Sequence, residues 1–332
     1  MPGPPARPTG VRVADALHTR LEHQGFVVLR GVVPLDEVVR INDRIESAIE
    51  TWAADLDVSR REYLDVACRW SSPNPLVDEL TSAVAAALLP AVEEVAGPGY
   101  SQRRASVFRK SSAASAGTHG HQDAGYWSRP TSSRYAVTTW VALDSSDALS
   151  GALRVLPGSH RDSVGPPVDF LRAGFVDPAA SWGEASVTLD VEPGDVVLFG
   201  PKLWHASHPV RGNAVRRSLA IRWDGPRQPE ILAPTPEHGT EFGMYTSGES
   251  LMRALSVLAG RAVSWGPDEV AHALQQGLAD GLPRARAARS ALRRLHLHLK
   301  AVERHQASDQ RGMVWDAVRD EVVLPVLGAA AL

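Results

Sequence analysis

The sequence predicts a mainly β domain with flanking helices: a sandwich or jelly-roll barrel followed by a helical C-terminal extension. Three observations carry this expectation. Between Ser101 and Asp224, short runs rich in β-branched and aromatic residues alternate with turns of Gly, Pro, Asp and Ser. Before that stretch, apolar residues recur at the three- and four-residue steps of a helix. After it the chain turns helical again and becomes rich in arginine.

Taken in order, residues 1–10 read as a disordered tail, because Pro2, Pro4, Pro5 and Pro8 each remove a backbone donor. From Val11 to about Glu50 the pattern is helix, strand, helix. The strand is Phe26-Val27-Val28-Leu29, entered through Gly25 and left through Gly31. In the helix after Pro34, Val38, Ile41, Ile45 and Ile49 form an apolar face while Glu37, Arg40, Arg44 and Glu46 face water. Residues 76–96 form an Ala- and Leu-rich helix that Pro90 is expected to interrupt. Strands are expected at 135–143, 152–156, 186–191, 196–199 and 217–223. A jelly roll would close two such sheets over one internal site.

The working domain therefore spans residues 11–225, and residues 226–332 form the extension. Within it, residues 284–305 carry Arg284, Arg286, Arg289, Arg293, Arg294, Lys300 and Arg304 against one acid, Glu303. Ala288, Leu292, Leu295, Leu299 and Val302 line up as one stripe. Such a helix suits packing on the barrel or a homodimer contact, and its basic face suits a phosphorylated substrate or an acidic carrier protein.

Composition narrows the function. The 332 residues carry 35 Lys+Arg against 38 Asp+Glu, a formal net charge of −3, which argues against a nucleic-acid partner. Cys68 is the single cysteine, so a disulfide framework and any multi-cysteine zinc or iron–sulfur site are excluded. Any metal must use His and carboxylate ligands. No stretch approaches the roughly 18–20 uninterrupted apolar residues of a membrane span, and the start lacks an apolar signal core, so the expectation is a cytoplasmic protein with no membrane contact.

The metal candidates lie in Thr118-His119-Gly120-His121-Gln122-Asp123. In a strand, positions i and i+2 share a face, so His121 and Asp123 would present an imidazole and a carboxylate side by side. A third ligand must come from elsewhere. In Pro193-Gly194-Asp195 a turn launches an apolar strand, and His205 is the first histidine beyond its end. Two histidines and one carboxylate with open positions opposite are the arrangement of non-haem Fe(II) oxygenases. The same donors also hold catalytic zinc. His119, even-stepped with His121 and Asp123, and His208 are competing ligands. Downstream, Arg216 with Ser218 places a guanidinium and a hydroxyl on one strand face, suited to a carboxylate. Arg217 shares the other face with Leu219, Ile221 and Trp223, a packed outer layer.

Several ordered motifs then match a known family. They are Gly25-Phe26-Val27-Val28-Leu29-Arg30-Gly31, Phe108-x-Lys110, His121-Gln122-Asp123-x-x-Tyr126-Trp127 and Trp140-Val141-Ala142-Leu143-Asp144. They continue with Gly151-Ala152-Leu153-Arg154-Val155-Leu156-Pro157-Gly158-Ser159-His160, Pro193-Gly194-Asp195 and His205-x-Ser207, with Arg216 eleven residues after His205. Over roughly residues 15–224 the chain resembles the phytanoyl-CoA dioxygenase family of Fe(II)- and 2-oxoglutarate-dependent oxygenases. The resemblance implies a double-stranded β-helix, the cupin-like form of the jelly roll. It implies His121, Asp123 and His205 as iron ligands, in preference to His208, and Arg216 as partner of the 2-oxoglutarate C5 carboxylate. Ser218, Ser207 and Lys110 are further cosubstrate contacts, and His160 is structural. Tyr126, Trp127 and Trp204 flank the ligands and either line the substrate cavity or belong to plain core.

The implied reaction consumes O2 and 2-oxoglutarate, releases succinate and CO2, and hydroxylates or otherwise oxidises a small molecule. In related iron halogenases a small residue replaces the carboxylate; Asp123 favours oxidation. The Ala-, Arg- and Val-rich composition fits a tailoring hydroxylase of bacterial specialised metabolism, with an acyl-CoA or amino-acid hydroxylase of primary metabolism as the alternative. Two other classes remain: a non-redox cupin-like metal hydrolase or isomerase, and a non-catalytic binding module. The tail from about Pro226 to Leu332 is where the chain departs from the family, and it leaves substrate class and oligomeric state open.

Overall fold

The computed structural model describes residues 11–64, 69–111, 117–126, 136–165, 177–226 and 267–305. The expected tail over residues 1–10 lies outside them. The strands are β1 (Phe26–Leu29), β2 (Arg69–Ser71), β3 (Ser101–Ser111), β4 (Thr118–His121), β5 (Ala136–Ala142), β6 (Leu153–Val155), β7 (Val187–Thr188), β8 (Val196–Phe199), β9 (His205–Ser207) and β10 (Val215–Asp224). They pair antiparallel in two sheets, a six-stranded one in the order β1-β8-β5-β10-β3-β2 and a four-stranded one in the order β4-β9-β6-β7. Neighbours in each sheet are mostly distant in sequence, as the jelly-roll expectation requires.

Strand alternation splits the large sheet into two differently used faces. Val137, Val141, Val196, Leu198, Leu219, Ile221 and Trp223 point outward into one apolar cluster. Helices α1 (Val11–Gln24), α2 (Leu35–Asp55), α3 (Arg60–Leu64) and α4 (Pro75–Ala96) precede β3, and α2 and α4 cover that face. On α2, Val38, Ile41, Ile45 and Ile49 are the buried positions, as their spacing predicts. Glu46 was expected to face water. It is instead 28% exposed and ties Arg109 (2.9 Å) and Arg217 (3.2 Å) to the helix, because the outer sheet face turns two arginines toward it.

Helix α4 starts where Asn74 accepts a hydrogen bond from the Val77 N–H at 3.1 Å, with Pro75 in the first turn. It does not break at Pro90. Leu88, Val92 and Val95 are buried on both sides of that residue, so packing of the apolar face outweighs one missing backbone bond. By length and composition α4 qualifies as a membrane span, but its apolar face, Val77 to Val95, is buried against the sheet.

The inner faces differ. Trp140, Leu153, Val155, Val197 and Phe199 meet between the two sheets, where they leave a cavity. In the extension, the described elements are α5 (Pro267–Ala279) and α6 (Pro283–His305), so the basic helix forms where expected. Ala288 and Leu292 of its stripe are buried, and Arg304 reaches Asp55 at 3.2 Å.

Candidate active site

His121 ends β4 and His205 begins β9, and the two are paired across the strands. Their rings lie 4.2 Å apart between centroids. Asp123 is not on the strand, contrary to the i, i+2 strand argument. β4 stops at His121 and a 3-10 turn, Asp123–Tyr126, starts there, fixed by the Ala124 N–H donating to the Pro201 carbonyl at 2.9 Å. The turn still swings the carboxylate back, so its Oδ1 lies 3.8 Å from Nε2 of both histidines. The three candidate ligand atoms all fall within 4.8 Å of one another.

The imidazoles are held from behind. Nδ1 of His121 donates to the His119 carbonyl at 2.8 Å, and Nδ1 of His205 to the Leu203 carbonyl at 3.0 Å. A carbonyl can only accept, so each Nδ1 carries the proton and each Nε2 offers its lone pair to the interior. The competing histidines are elsewhere: His119 faces Asp177 at 3.4 Å, and His208 bonds Thr188 at 2.9 Å.

Electrostatics keep the donors in their metal-binding forms. Burial, helped by the neighbouring His205, pushes His121 down to about 3, so it is neutral at ordinary pH. For Asp123 burial acts in the opposite sense, but Arg222, then His205, His121 and Arg69, outweigh it and bring the carboxyl to about 2. Thr138 also reaches the carboxylate, its hydroxyl 3.4 Å from Oδ2.

Arg216 and Ser218 share the inward face of β10, as predicted. Arg216 is 2% exposed; its Nε donates to the Gly151 carbonyl at 3.0 Å and its Nη1 to Ser218 Oγ at 2.8 Å. The guanidinium lies over Trp140, 5.2 Å from the ring centre. Lys110 is the direct cross-strand partner of Arg216. Its ammonium donates to Ser207 and Thr118, joining the large sheet to β9 and β4. Arg217 turns outward to Asp144 at 2.6 Å and Glu46.

His121, Asp123, His205, Arg216, Ser207 and Lys110 all line one cavity of about 130 Å³. Ser218 stands beside it through Arg216. Trp204 does not line it. It packs edge-on against Trp182 at 6.4 Å, in a separate cluster with Ala179 and Ala206. Trp127 lies outside the described residues, as does the side chain of Tyr126. The cavity has further lining that sequence reasoning missed: Arg222, Arg69 and Arg104, with Phe108, Trp140 and Phe199 as apolar wall. A signal for Arg222 was present, because it stands an even number of positions from Arg216 on the same strand.

Residues 21–218 match the family model described as phytanoyl-CoA dioxygenase (PhyH). The chain belongs to the phytanoyl-CoA dioxygenase family. Peroxisomal phytanoyl-CoA dioxygenase of Homo sapiens is 25% identical over 225 residues, covering 61% of this chain and 65% of that protein, so the chain spans just under two thirds of its relative. Among solved structures, AviO1 from Streptomyces viridochromogenes Tue57 superposes with a TM-score of 0.51 and 21% identity over 67% of this chain and 98% of the other. SnoN, a non-heme alpha ketoglutarate dependent epimerase from nogalamycin biosynthesis, gives 0.50 and 19% over 65% and 82%. These likenesses bear out the double-stranded β-helix expected for a family member. The His-x-Asp that closes β4 and opens the 3-10 turn, the His-x-Ser of β9 and Arg216 of β10 all lie within the matched residues.

Proposed function

We propose that the chain is a non-haem Fe(II)- and 2-oxoglutarate-dependent dioxygenase that hydroxylates, or otherwise oxidises, an unactivated C–H bond of a small molecule. The observation that carries this reading is the pairing of two pieces in one cavity: a His-Asp-His triad with its Nε2 atoms pre-aimed, and a buried Arg216–Lys110 pair. Two imidazoles and a carboxylate on one side, with open positions opposite, suit Fe(II). Two cations buried side by side suit a carboxylate.

Iron and 2-oxoglutarate, when bound, supply the oxidation: O2 and 2-oxoglutarate are consumed, and succinate, CO2 and an oxidised substrate are formed. The chain does the rest. His121, Asp123 and His205 would hold the metal. Arg216, kept in one orientation by Gly151, Ser218 and Trp140, would hold the distal carboxylate of 2-oxoglutarate, with Lys110 and Ser207 beside it. Phe108, Trp140 and Phe199 keep water from the reacting carbon. Asp123 occupies the place a halide would need.

A tailoring step in bacterial specialised metabolism is supported by the composition and by the likeness to SnoN, whose own role is in nogalamycin biosynthesis. An acyl-CoA substrate is the second reading, favoured by the human relative's name. The test is to supply purified protein with Fe(II), ascorbate and 2-oxoglutarate and follow succinate, without and with a substrate panel. Succinate is expected in the wild-type chain and lost in His121→Ala and Asp123→Ala. Succinate formed equally by both variants overturns the reading, and so does its absence across the panel, which leaves the hydrolase or binding-module class.

A further inference from the structure

The three candidate metal ligands are held in different ways. His121 and His205 stand on paired strands of the small sheet, and a backbone carbonyl fixes each ring. Asp123 opens a 3-10 turn instead, and rotation about a carboxylate's last side-chain bond is broad and two-fold, so its two oxygens exchange places unless something tells them apart. The large sheet does so. Thr138 on β5 directs its hydroxyl to Oδ2 at 3.4 Å, whereas Oδ1 is the oxygen that lies 3.8 Å from Nε2 of both histidines. A carboxylate only accepts, so the hydroxyl is the donor. Among the described residues, Thr138 is the one hydrogen-bond donor to this side chain.

Strand alternation puts Thr138 there. On β5, Val137 and Val141 point outward into the apolar cluster, and Thr139 accepts from Trp223 Nε1 on the same side. Thr138 and Trp140 therefore face the cavity. Across the sheet Thr138 pairs with Phe199 of β8 and Arg222 of β10, and this whole row meets the ligands. The Phe199 ring lies 4.9 Å from the His205 ring, and Arg222 is 3.6 Å from Oδ1 of Asp123. Packing in such a row asks only for the shape of a valine. A buried hydroxyl costs free energy unless it is bonded, and Thr138, 3% exposed, has the Asp123 carboxylate as its acceptor.

We propose that Thr138 is a positioning residue for the metal: its hydroxyl occupies Oδ2 of Asp123, so that Oδ1 is the oxygen presented beside the two imidazoles. The inference rests on the oxygenase reading above, in which His121, Asp123 and His205 receive Fe(II). Three protein ligands leave half of an octahedral shell open, and a carboxylate binding through both oxygens would take one of the positions left. Partners that orient metal ligands from outside the shell are worth about 10- to 100-fold in affinity, and a contact of 3.4 Å belongs at the lower end of that range.

The experiment titrates Mn(II) by calorimetry into the full chain as wild type, Thr138→Val, Thr138→Ser and Thr138→Ala. The four make two pairs, threonine with valine and serine with alanine, each losing the hydroxyl at nearly constant shape, so either pair alone carries the comparison if a variant in the other fails to fold. Valine and alanine should each weaken Mn(II) binding by about tenfold relative to their hydroxyl partners, and Thr138→Ser should stay within about threefold of wild type. Affinity that follows side-chain size, with serine and alanine alike and valine like threonine, shows a packing role and overturns the proposal. So does a wild-type chain that binds no Mn(II). Succinate formation is read separately. Hydroxyl-dependent Mn(II) binding without succinate across the substrate panel sinks the oxygenase reading and leaves the role of Thr138 standing, and succinate with hydroxyl-independent binding does the opposite.

Discussion

His121 and His205 are oriented by the same device, each Nδ1 donating to the carbonyl two residues earlier, at 2.8 and 3.0 Å. Each ring is thus committed to the tautomer a metal needs before any metal arrives. One Mn(II) per chain is expected by titration calorimetry. His121→Ala and His205→Ala should weaken it by more than about 100-fold, beyond the loss typical of removing a supporting residue. His119→Ala and His208→Ala, whose rings serve Asp177 and Thr188, should stay within about threefold. Loss of binding in either of the latter would mean the ligand set is misassigned.

Arg216 and Arg217 are adjacent in sequence and opposite in use. Arg216→Gln should raise the 2-oxoglutarate concentration needed for half-maximal succinate formation by about 10- to 100-fold, since it removes a charge-assisted contact worth roughly 1.5–3 kcal/mol. Arg217→Gln should leave that requirement alone and instead lower the melting temperature, because it strips Asp144 of its two-pronged partner and Glu46 of one of its arginines. The reverse pattern would invert the strand's facing.

The contrast between these two residues shows what the sequence made legible. Alternation along β10 separates Arg216 and Ser218 from the outward Leu219, Ile221 and Trp223, and the structure keeps that division. The metal ligands were legible as spaced motifs, although Asp123 arrives by a 3-10 turn rather than by strand alternation. β3 was not legible, because its inward positions, Arg104, Ser106, Phe108 and Lys110, face a polar cavity, and an outward one, Arg109, pairs with Glu46. Neither face reads as a run of core residues. Arg69, Arg104 and Arg222 of the cavity lining are drawn from β2, β3 and β10, which adjoin only through the order of the sheet. No local pattern brings the three together. Trp204 sits beside a ligand in sequence but packs on Trp182, whose position depends on a distant segment.

Gly194 tests the turn that launches β8. Its φ is +89°, and a Cβ there would lie 2.3 Å from the Val33 carbonyl oxygen, which is backbone and has little room to move. The same neighbour holds the turn, since the Val33 N–H donates to the Gly194 carbonyl at 3.0 Å. Gly194→Ala should therefore cost about 1–3 kcal/mol in urea unfolding. Gly212→Ala has positive φ but nothing within 4 Å, and should cost less. Equal losses would mean that the contact with Val33 contributes nothing.

Asp195, the next residue, supplies a pH-dependent part of the stability. Its carboxylate accepts from the Gly31 N–H at 2.9 Å, the Glu192 N–H at 2.9 Å and Arg30 at 2.6 Å. Burial alone would raise its pKa, but the Glu192, Arg30 and Gly31 bonds prevail and hold it below the ordinary aspartate value. The unfolded chain therefore takes up this proton first as the pH falls. The contribution is fully present above about pH 4, the unfolded aspartate value, and is lost as the pH drops through the lower folded one. Asp195→Asn should cost about 1.5–3 kcal/mol at pH 7, where an amide cannot serve all three donors. Urea midpoints of the two proteins should then converge as the pH falls below about 4, because the wild-type chain alone loses this carboxylate's contribution. A gap that stays constant across that range would show that the side chain acts through its shape and not its charge.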